Sequence, residues 1–259
     1  MGIYFLETGS GPRPSKVIYD RAYSAISKAK SNDFNWDAIF HNAHWFHITG
    51  ITPALSPSAA ELSITAVKEA KKRGITVSCD LNYRSKLWKY GKEPHEIMRE
   101  LVKYVDVIIA NEEDIQKVLN FELEQQIGGV TLAKEKYKIL ITRVMKAYPH
   151  LSYIGITLRE SFSASRNDWS AILYSKKEDQ IFESKKYHLT NIVDRVGGGD
   201  SFGAGLIYGL KHMNNSEDAV NFAVAASALK HTIPGDVNLV TVKEVETLMH
   251  GEGHGRVQR

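Results

Sequence analysis

Cysteine is almost absent from this chain, and long apolar runs are missing altogether. Cys79 is the only cysteine, so no intrachain disulfide can form, and its apolar neighbours predict a buried, unreactive thiol. No stretch approaches the roughly 18 apolar residues of a membrane span, and the first residues lack the basic region of a signal peptide. We therefore expect a cytoplasmic protein with no membrane partner.

An excess of charge of one sign is also missing. The 33 basic and 30 acidic side chains leave a formal net charge of +3. The basic residues are scattered along the chain, which argues against a nucleic-acid partner. With 259 residues, of which 43% are hydrophobic, the chain is long enough to bury one large core. These properties favour a single globular domain.

Strand-like and helix-like patterns alternate through most of the chain. Strands are predicted over 45–51, 75–81, 105–110 and 153–158, and helices over 56–74, 95–104, 113–119, 133–146, 202–213 and 217–230. Strands separated by helices of this length indicate an α/β fold with a parallel sheet and helices on both faces. Two hairpins interrupt the alternation, one pairing 3–7 with 16–21 and the other pairing 171–174 with 180–183.

A run of three glycines, Gly197 to Gly199, stands directly before Asp200, where a helical pattern begins. Backbone N–H groups are free at a helix start, and an anion can approach glycines closely because they carry no Cβ. Asp200 adds a carboxylate beside that anion. A cradle for an anion next to a base is the arrangement that phosphoryl transfer requires.

A simpler interpretation of the same run is a tight turn. The run matches neither the Gly-x-x-x-x-Gly-Lys-Ser/Thr phosphate loop nor the Gly-x-Gly-x-x-Gly dinucleotide fingerprint, and Asp194 can cap the turn. Four polar clusters argue for a ligand site, because ligands of parallel sheets bind beyond the carboxyl ends of the strands. They are 80–84, 111–114 and 157–160, each placed after a predicted strand, and 234–236, placed after the last predicted helix.

The glycine run and its aspartate resemble the signature of the ribokinase-like, or pfkB, carbohydrate kinases. Segments 3–7, 13–21, 80–88, 194–200 and 255–259 are similar to the 2-keto-3-deoxygluconate kinases of that family, so that the resemblance extends over essentially the whole chain. It implies a ribokinase-like α/β fold with a mostly parallel sheet and a small β lid. It also implies transfer of the ATP γ-phosphate to 2-keto-3-deoxygluconate (2-dehydro-3-deoxy-D-gluconate), giving the 6-phosphate.

The resemblance also implies roles for individual residues. Asp200 becomes the general base, and the amides of Gly197, Gly198 and Gly199 form the anion hole. The implied contacts of the sugar acid are Tyr4, Tyr19, Arg21, Arg84 and Asp236. Those of ATP are Asn82, Tyr83, Arg84, Thr157, Arg159, Gly197 and Gly199. Asn111 and Asp114 are implied at the Mg²⁺ site, where Asp114 replaces the longer glutamate of the family and Glu112 or Glu113 can substitute for it.

The resemblance divides the chain into a β-lid part (1–25) and an α/β core (26–250), and the polar, glycine-rich composition of 251–259 predicts a mobile tail. Family members usually begin with a Gly-Glu strand and a Gly-Gly-Ala/Asn element, and this sequence has neither. We therefore expect it to lack the N-terminal part of such an enzyme and to expose an apolar sheet edge, which favours aggregation or association. Because lids of this family often meet across a dimer, the resemblance also implies a homo-oligomer through the lid. Two alternatives remain open: another sugar kinase of the family, such as a fructokinase, or an inactive fragment that binds sugar or nucleotide.

Overall fold

A computed structural model describes residues 1–121 and 130–251. The strands are β1 (Ile3–Glu7), β2 (Lys16–Asp20), β3 (Trp45–Thr49), β4 (Thr76–Asp80), β5 (Val107–Ala110), β6 (Tyr153–Ser163), β7 (Arg166–Ser175), β8 (Gln180–Glu183) and β9 (Tyr187–Leu189). The helices are α1 (Ala25–Lys28), α2 (Trp36–Ile39), α3 (Pro57–Lys72), α4 (Pro94–Val102), α5 (Glu112–Leu119), α6 (Val130–Ala147), α7 (Gly198–His212), α8 (Ser216–Lys230) and α9 (Val242–Met249), with a 3-10 turn over Ser31–Asp33.

The chain forms two compact units. Unit 1 comprises Met1–Phe5, Ile18–Ile156 and Lys176–Asp179. Unit 2 comprises Leu6–Val17, Thr157–Ser175 and Gln180–Arg259. The long strand β6 contributes its first residues to unit 1 and its remaining residues to unit 2.

Unit 1 is built on the predicted parallel sheet, in which β3, β4, β5 and β6 pair in that order. One row of buried side chains crosses all four strands, because Ile48 pairs with Cys79, Cys79 with Ile108, and Ile108 with Ile154. Parallel strands are covered on both faces, so their sequences are nearly continuous apolar runs. The buried thiol predicted at Cys79 is confirmed, and burial raises its pKa well above the usual value.

Both ends of helix α3 are specified by residues next to them in the sequence. The Ser56 hydroxyl accepts a hydrogen bond from the Ala59 amide at 3.0 Å, and Pro57 occupies the first helical position. The helix ends before Gly74, whose φ of +72° is the left-handed conformation expected there. The Ser58 hydroxyl, at the next helical position, donates to the Ala29 carbonyl.

Unit 2 combines antiparallel strands with a close pair of helices. Strand β7 pairs antiparallel with β8 and with β9, which confirms the second predicted hairpin. Helices α7 and α8 approach so closely that a Cβ on Gly209 would lie 2.8 Å from the Cα of Ala219. Helix α9 packs against α8, where Val245 and Met249 share a buried cluster with Phe222.

Several sequence expectations are corrected by the structure. The cluster 157–160 does not follow a strand but lies inside β6. Helix α7 begins at Gly198, within the glycine run, rather than at Asp200. Helix α9 follows the 234–236 loop and was not predicted. The predicted mobile tail lies outside the described residues, apart from position 251.

Strands β1 and β2 form the two-stranded sheet predicted for the lid, and one of its faces exposes Ile3, Phe5 and Ile18. Within residues 1–121 and 130–251, no helix has the length and apolar character needed to cross a bilayer.

Candidate active site

The glycine turn before α7 is held in a geometry that only glycine fits. Gly197 is the N-cap of the helix and has φ of +76°. A Cβ at this position would lie 2.1 Å from the carbonyl oxygen of Asp236, so no other side chain can be placed there without moving the backbone. The turn therefore brings two predicted site positions, Gly197 and Asp236, against each other.

The first turn of α7 presents unused hydrogen-bond donors beside an exposed acid. The Ser201 amide donates to the Gly197 carbonyl at 2.8 Å, and the Gly198 amide donates to Arg195 at 3.3 Å. The amides of Gly199 and Asp200 find no acceptor in the described part of the chain. The Asp200 side chain is exposed. Free amides and the positive end of the helix dipole together make an anion site.

Asp194 supports this turn from one side. One of its carboxylate oxygens accepts from the Val196 amide at 3.0 Å, and the other accepts from the Gly235 amide at 2.9 Å. The capping role predicted for Asp194 is confirmed, and the same side chain also ties the 234–236 loop to the turn.

Arg195 is a cation in this turn to which the sequence analysis gave no role. Its Nη2 donates to the Ser163 carbonyl at 2.5 Å and to Asn167 Oδ1 at 2.9 Å, while its buried Nε has no partner in the described chain. Burial and the nearby charge of Arg159 lower its pKa. Its position inside the signature was the signal that could have singled it out.

In unit 1 the structure brings Tyr4, Tyr19 and Arg21 together. The Arg21 guanidinium carbon lies 5.1 Å from the centre of the Tyr19 ring and 5.8 Å from that of Tyr4. No carboxylate pairs with Arg21 within residues 1–121 and 130–251. Two aromatic rings thus orient a guanidinium whose hydrogen-bonding fork is available for an anion.

Asn82 is a second unusual residue of unit 1. Its φ is +39°, its Nδ2 donates to Thr49 Oγ1 at 3.2 Å, and its amide donates to Asp80 Oδ1 at 3.1 Å. The buried Oδ1 of Asn82 has no hydrogen-bond donor in the described chain. A buried acceptor without a partner costs about 1–3 kcal/mol, which a ligand that donates to it can recover.

The predicted metal residues form a helix cap. The Asn111 amide donates to Asp114 Oδ2 at 3.0 Å, and the Asp114 amide donates to Asn111 Oδ1 at 2.8 Å. The Tyr83 amide occupies the other oxygen of Asp114 at 2.9 Å, which links this cap to the Asn82–Arg84 segment. Burial raises the pKa of Asp114, and the two amides oppose that shift.

The two acids considered as substitutes differ. Glu112 is bound by Lys136 and by the Tyr137 hydroxyl at 3.0 Å. Glu113 is exposed. Over the described residues, no three His, Cys, Asp or Glu side chains are grouped so as to hold a metal ion by themselves. Thr157 and Arg159 lie in β6, where Arg159 is exposed.

Comparison with known proteins gives consistent results. The profile of the pfkB family carbohydrate kinases matches residues 1–149 and 159–241. The 2-dehydro-3-deoxygalactonokinase of Haloferax volcanii is 33% identical over 254 residues, which are 98% of this chain and 72% of that protein. The 2-dehydro-3-deoxygluconokinase of Bacillus subtilis is 24% identical over 229 residues, which are 88% of this chain and 63% of that protein.

Among solved structures, the 2-dehydro-3-deoxygluconokinase from Thermotoga maritima superposes with a TM-score of 0.88 at 46% sequence identity. The match covers 97% of this chain and 73% of that one. The chain therefore spans between 63% and 73% of the length of these three proteins. The predicted α/β class with a mostly parallel central sheet is confirmed by this likeness.

Proposed function

This chain belongs to the pfkB family of carbohydrate kinases, and we propose that it transfers the γ-phosphate of ATP to 2-dehydro-3-deoxy-D-gluconate. The product is the 6-phosphate of the sugar acid and ADP. The observation that carries the proposal is the exposed Asp200 carboxylate standing beside the free amides of Gly199 and Asp200 at the start of α7.

The proposed reaction at this turn consists of one proton transfer and one phosphoryl transfer. The Asp200 carboxylate accepts the proton of the terminal hydroxyl of the sugar acid. The hydroxyl oxygen bonds to the γ-phosphorus, and the bond from that phosphorus to the oxygen bridging the β-phosphate breaks, so ADP leaves with the electron pair. The backbone amides of the turn donate to the transferring phosphoryl group and stabilise its charge.

Recognition of an acid rather than a neutral sugar is assigned to unit 1. Arg21 lies over the Tyr4 and Tyr19 rings and pairs with no carboxylate of the described chain. An arginine fork binds a carboxylate through two parallel hydrogen bonds. We assign the substrate carboxylate to Arg21, and we keep Arg84 and Asp236 as further contacts of the sugar acid.

The configuration of the sugar acid has a second candidate. The Haloferax relative, at 33% identity, is a kinase of 2-dehydro-3-deoxygalactonate, whereas the Thermotoga protein, at 46%, is a gluconokinase. The two sugar acids differ in the configuration of one hydroxyl carbon and share the carboxylate, the ketone and the terminal hydroxyl. Steady-state kinetics with both compounds decides between them, and we expect the gluconate form to have the higher kcat/KM.

We assign ATP to Asn82, Tyr83, Arg84, Thr157, Arg159 and the glycine turn. Magnesium is expected to enter with the nucleotide and to neutralise phosphate charge. Both Asp114 oxygens already accept hydrogen bonds from backbone amides. Asn111 and Asp114 are therefore better suited to contact the water molecules of a hydrated ion than to ligate the ion directly. Mg²⁺ commonly retains several waters in such sites. The exposed Glu113 is the nearby carboxylate that can approach that water.

The variant Asp200→Asn tests the assignment of the base. The amide has the shape of the carboxylate and the site is exposed, so folding and nucleotide binding should persist. Turnover should fall by about 10²–10⁴ because the general base is gone. ADP release with the sugar acid, ATP and Mg²⁺ is the activity measurement, and calorimetry with ATP checks binding.

Glu217→Gln is the matched control, because Glu217 is an exposed acid in the first turn of α8. It loses the same favourable interaction with a helix dipole but has no assigned chemistry. Wild-type turnover is expected for Glu217→Gln. Wild-type turnover in Asp200→Asn would refute the kinase mechanism proposed for this site.

A further inference from the structure

Helix α8 and the residue that follows it, His231, bring two buried side chains to the glycine turn. The reaction described above uses neither of them. Ser227 is fully buried, and its hydroxyl donates to the Gly198 carbonyl at 2.7 Å. His231 follows one turn later and is 4% exposed. Both belong to unit 2, as does the turn that they contact.

The Ser227 hydrogen bond acts on one particular peptide plane. The Gly198 carbonyl and the Gly199 amide belong to the same planar peptide unit, and in a trans peptide they point in opposite directions. Fixing the oxygen on the α8 side therefore directs the Gly199 N–H away from α8. That N–H is one of the two amides in the first turn of α7, those of Gly199 and Asp200, that have no acceptor in the described chain.

A peptide flanked by glycines needs such a constraint. Glycine occupies positive and negative φ about equally well, so a unit between two glycines rotates at little steric cost. The helical geometry of α7 limits this rotation in part, and the Ser227 hydroxyl adds to that limit, because a turned peptide would leave a fully buried hydroxyl without its partner.

His231 contacts both Ser227 and Gly198. Its Nδ1 lies 2.7 Å from the Ser227 carbonyl, which only an N–H can approach in this way, so Nδ1 carries the proton. Burial lowers the pKa of His231, and the charges of Lys230, Arg195 and Arg159 lower it further. The ring sits where a side chain on Gly198 would be, with Cε1 at 2.8 Å from the ideal Cβ position. The Trp169 ring packs against it at 5.3 Å.

The backbone of His231 fixes the approach to the turn as well. Its carbonyl oxygen accepts from the Val193 amide at 2.8 Å and from the Asp194 amide at 3.3 Å. The segment that leads into the glycine turn is thus tied to the residue that follows α8. Ser227 and His231 therefore hold both Gly198 and the residues that precede the turn.

We propose that Ser227 and His231 are positioning residues of the anion hole, which hold the Gly198–Gly199 peptide with its N–H directed at the transferring phosphoryl group. The proposal rests on the proposed function of the glycine turn. Preorganised donors stabilise a transition state because they need not reorient during the reaction. A donor displaced by about 1 Å can lower the rate by as much as about 10².

Three single variants separate the hydrogen bond from simple packing. Ser227→Ala removes the donor, and Ser227→Cys keeps the size but donates weakly. For both, kcat should fall about tenfold or more while KM for the sugar acid stays near the wild-type value. Ser63→Ala is the matched control: Ser63 is also buried in a helix and donates to a backbone carbonyl, that of Ala59. It should lose a similar amount of stability and keep its kcat.

Two further variants address His231. His231→Asn retains a side-chain N–H near the position of Nδ1 and should keep more of the kcat than His231→Ala. The double variant Ser227→Ala with His231→Ala should lower kcat by much less than the product of the two single losses, because both residues act on one peptide.

A measurement without turnover separates this proposal from the proposed substrate. Orthovanadate with ADP mimics the transferring phosphoryl group, and its affinity should fall about tenfold in Ser227→Ala and remain unchanged in Ser63→Ala. If the wild-type protein phosphorylated neither sugar acid while Ser227→Ala still bound vanadate less tightly than wild type, the proposed substrate would be wrong and the positioning role would stand. Equal kcat and equal vanadate affinity in wild type, Ser227→Ala and Ser227→Cys would overturn the positioning role.

Discussion

At position 21 an arginine is held over two tyrosine rings with no acid of the described chain beside it. Such contacts contribute only about 0.5–1 kcal/mol each at exposed sites, but they orient the guanidinium before a ligand arrives. Orientation in advance reduces the entropy lost on binding. If Arg21 binds the substrate carboxylate as we propose, this one side chain would set the preference for an acid over a neutral sugar.

Replacing Arg21 by Gln should therefore change selectivity more than it changes turnover. The kcat/KM for 2-dehydro-3-deoxygluconate should fall about tenfold to a hundredfold, since hydrogen bonds between charged groups contribute about 1.5–3 kcal/mol. Any activity toward fructose should be unaffected. Arg13→Gln is the control, because Arg13 already pairs with Glu7 at 2.6 Å. If both substrates suffered equally, Arg21 would not be the carboxylate contact.

At the scale of elements, α7 begins differently from α3, α5, α8 and α9. Helices α3, α5, α8 and α9 start at Ser56, Asn111, Asn215 and Thr241, and each of these side chains accepts a backbone amide of its own helix. Helix α7 starts at Gly197, which has no side chain to accept one. Its first amides are therefore left for an external anion.

The cap of α3 gives a stability test of this view of helix ends. Ser56→Ala should lower the free energy of unfolding by about 1 kcal/mol, the usual effect of losing an N-cap hydroxyl. Glu61→Gln should change it very little, because the Ser58 hydroxyl three residues before it donates to the Ala29 carbonyl and does not form a capping box with Glu61. Urea denaturation measures both variants. A larger loss for Glu61→Gln than for Ser56→Ala would reverse this assignment of the cap.

At the scale of the whole molecule, the assigned functions divide between the two units. The residues assigned to the substrate carboxylate, Tyr4, Tyr19 and Arg21, belong to unit 1, and those assigned to phosphoryl transfer, Gly197 to Asp200, belong to unit 2. Similarity to the Haloferax and Thermotoga kinases nevertheless extends over 98% and 97% of the chain. Both units are thus common to this chain and its relatives.

Nucleotide binding should stabilise the native molecule as a whole. At roughly 100 times its Kd, ATP should add about 2.7 kcal/mol to the free energy of unfolding. The same increase is expected in Asp200→Asn, which loses the base and keeps the amides. Adenosine at equal concentration is the control and should stabilise less, because it brings no phosphate to the glycine turn. Thermal unfolding with each compound measures the effect, and equal shifts for ATP and adenosine would contradict an anion site at α7.

Local patterns were enough to predict much of this protein. The buried strands of unit 1, the Ser56–Pro57 start of α3 and its end at Gly74 are each specified by a few consecutive residues. The Gly197–Asp200 signature was visible for the same reason. The far half of β6 was missed because its exposed polar residues show no apolar pattern. Helix α9 was missed although Thr241 and Glu244 form a legible capping box.

The sequence by itself determined the alternating strands and helices of unit 1, the two ends of α3 and the position of the glycine turn, because neighbouring residues act on one another through the backbone that they share. Only the tertiary structure decided that the Ser227 hydroxyl meets the Gly198 carbonyl 29 residues away, that Asp236 closes on Gly197, and that Arg21 lies over Tyr4. Contacts of this kind depend on how helices and strands pack, and no spacing along the chain encodes them.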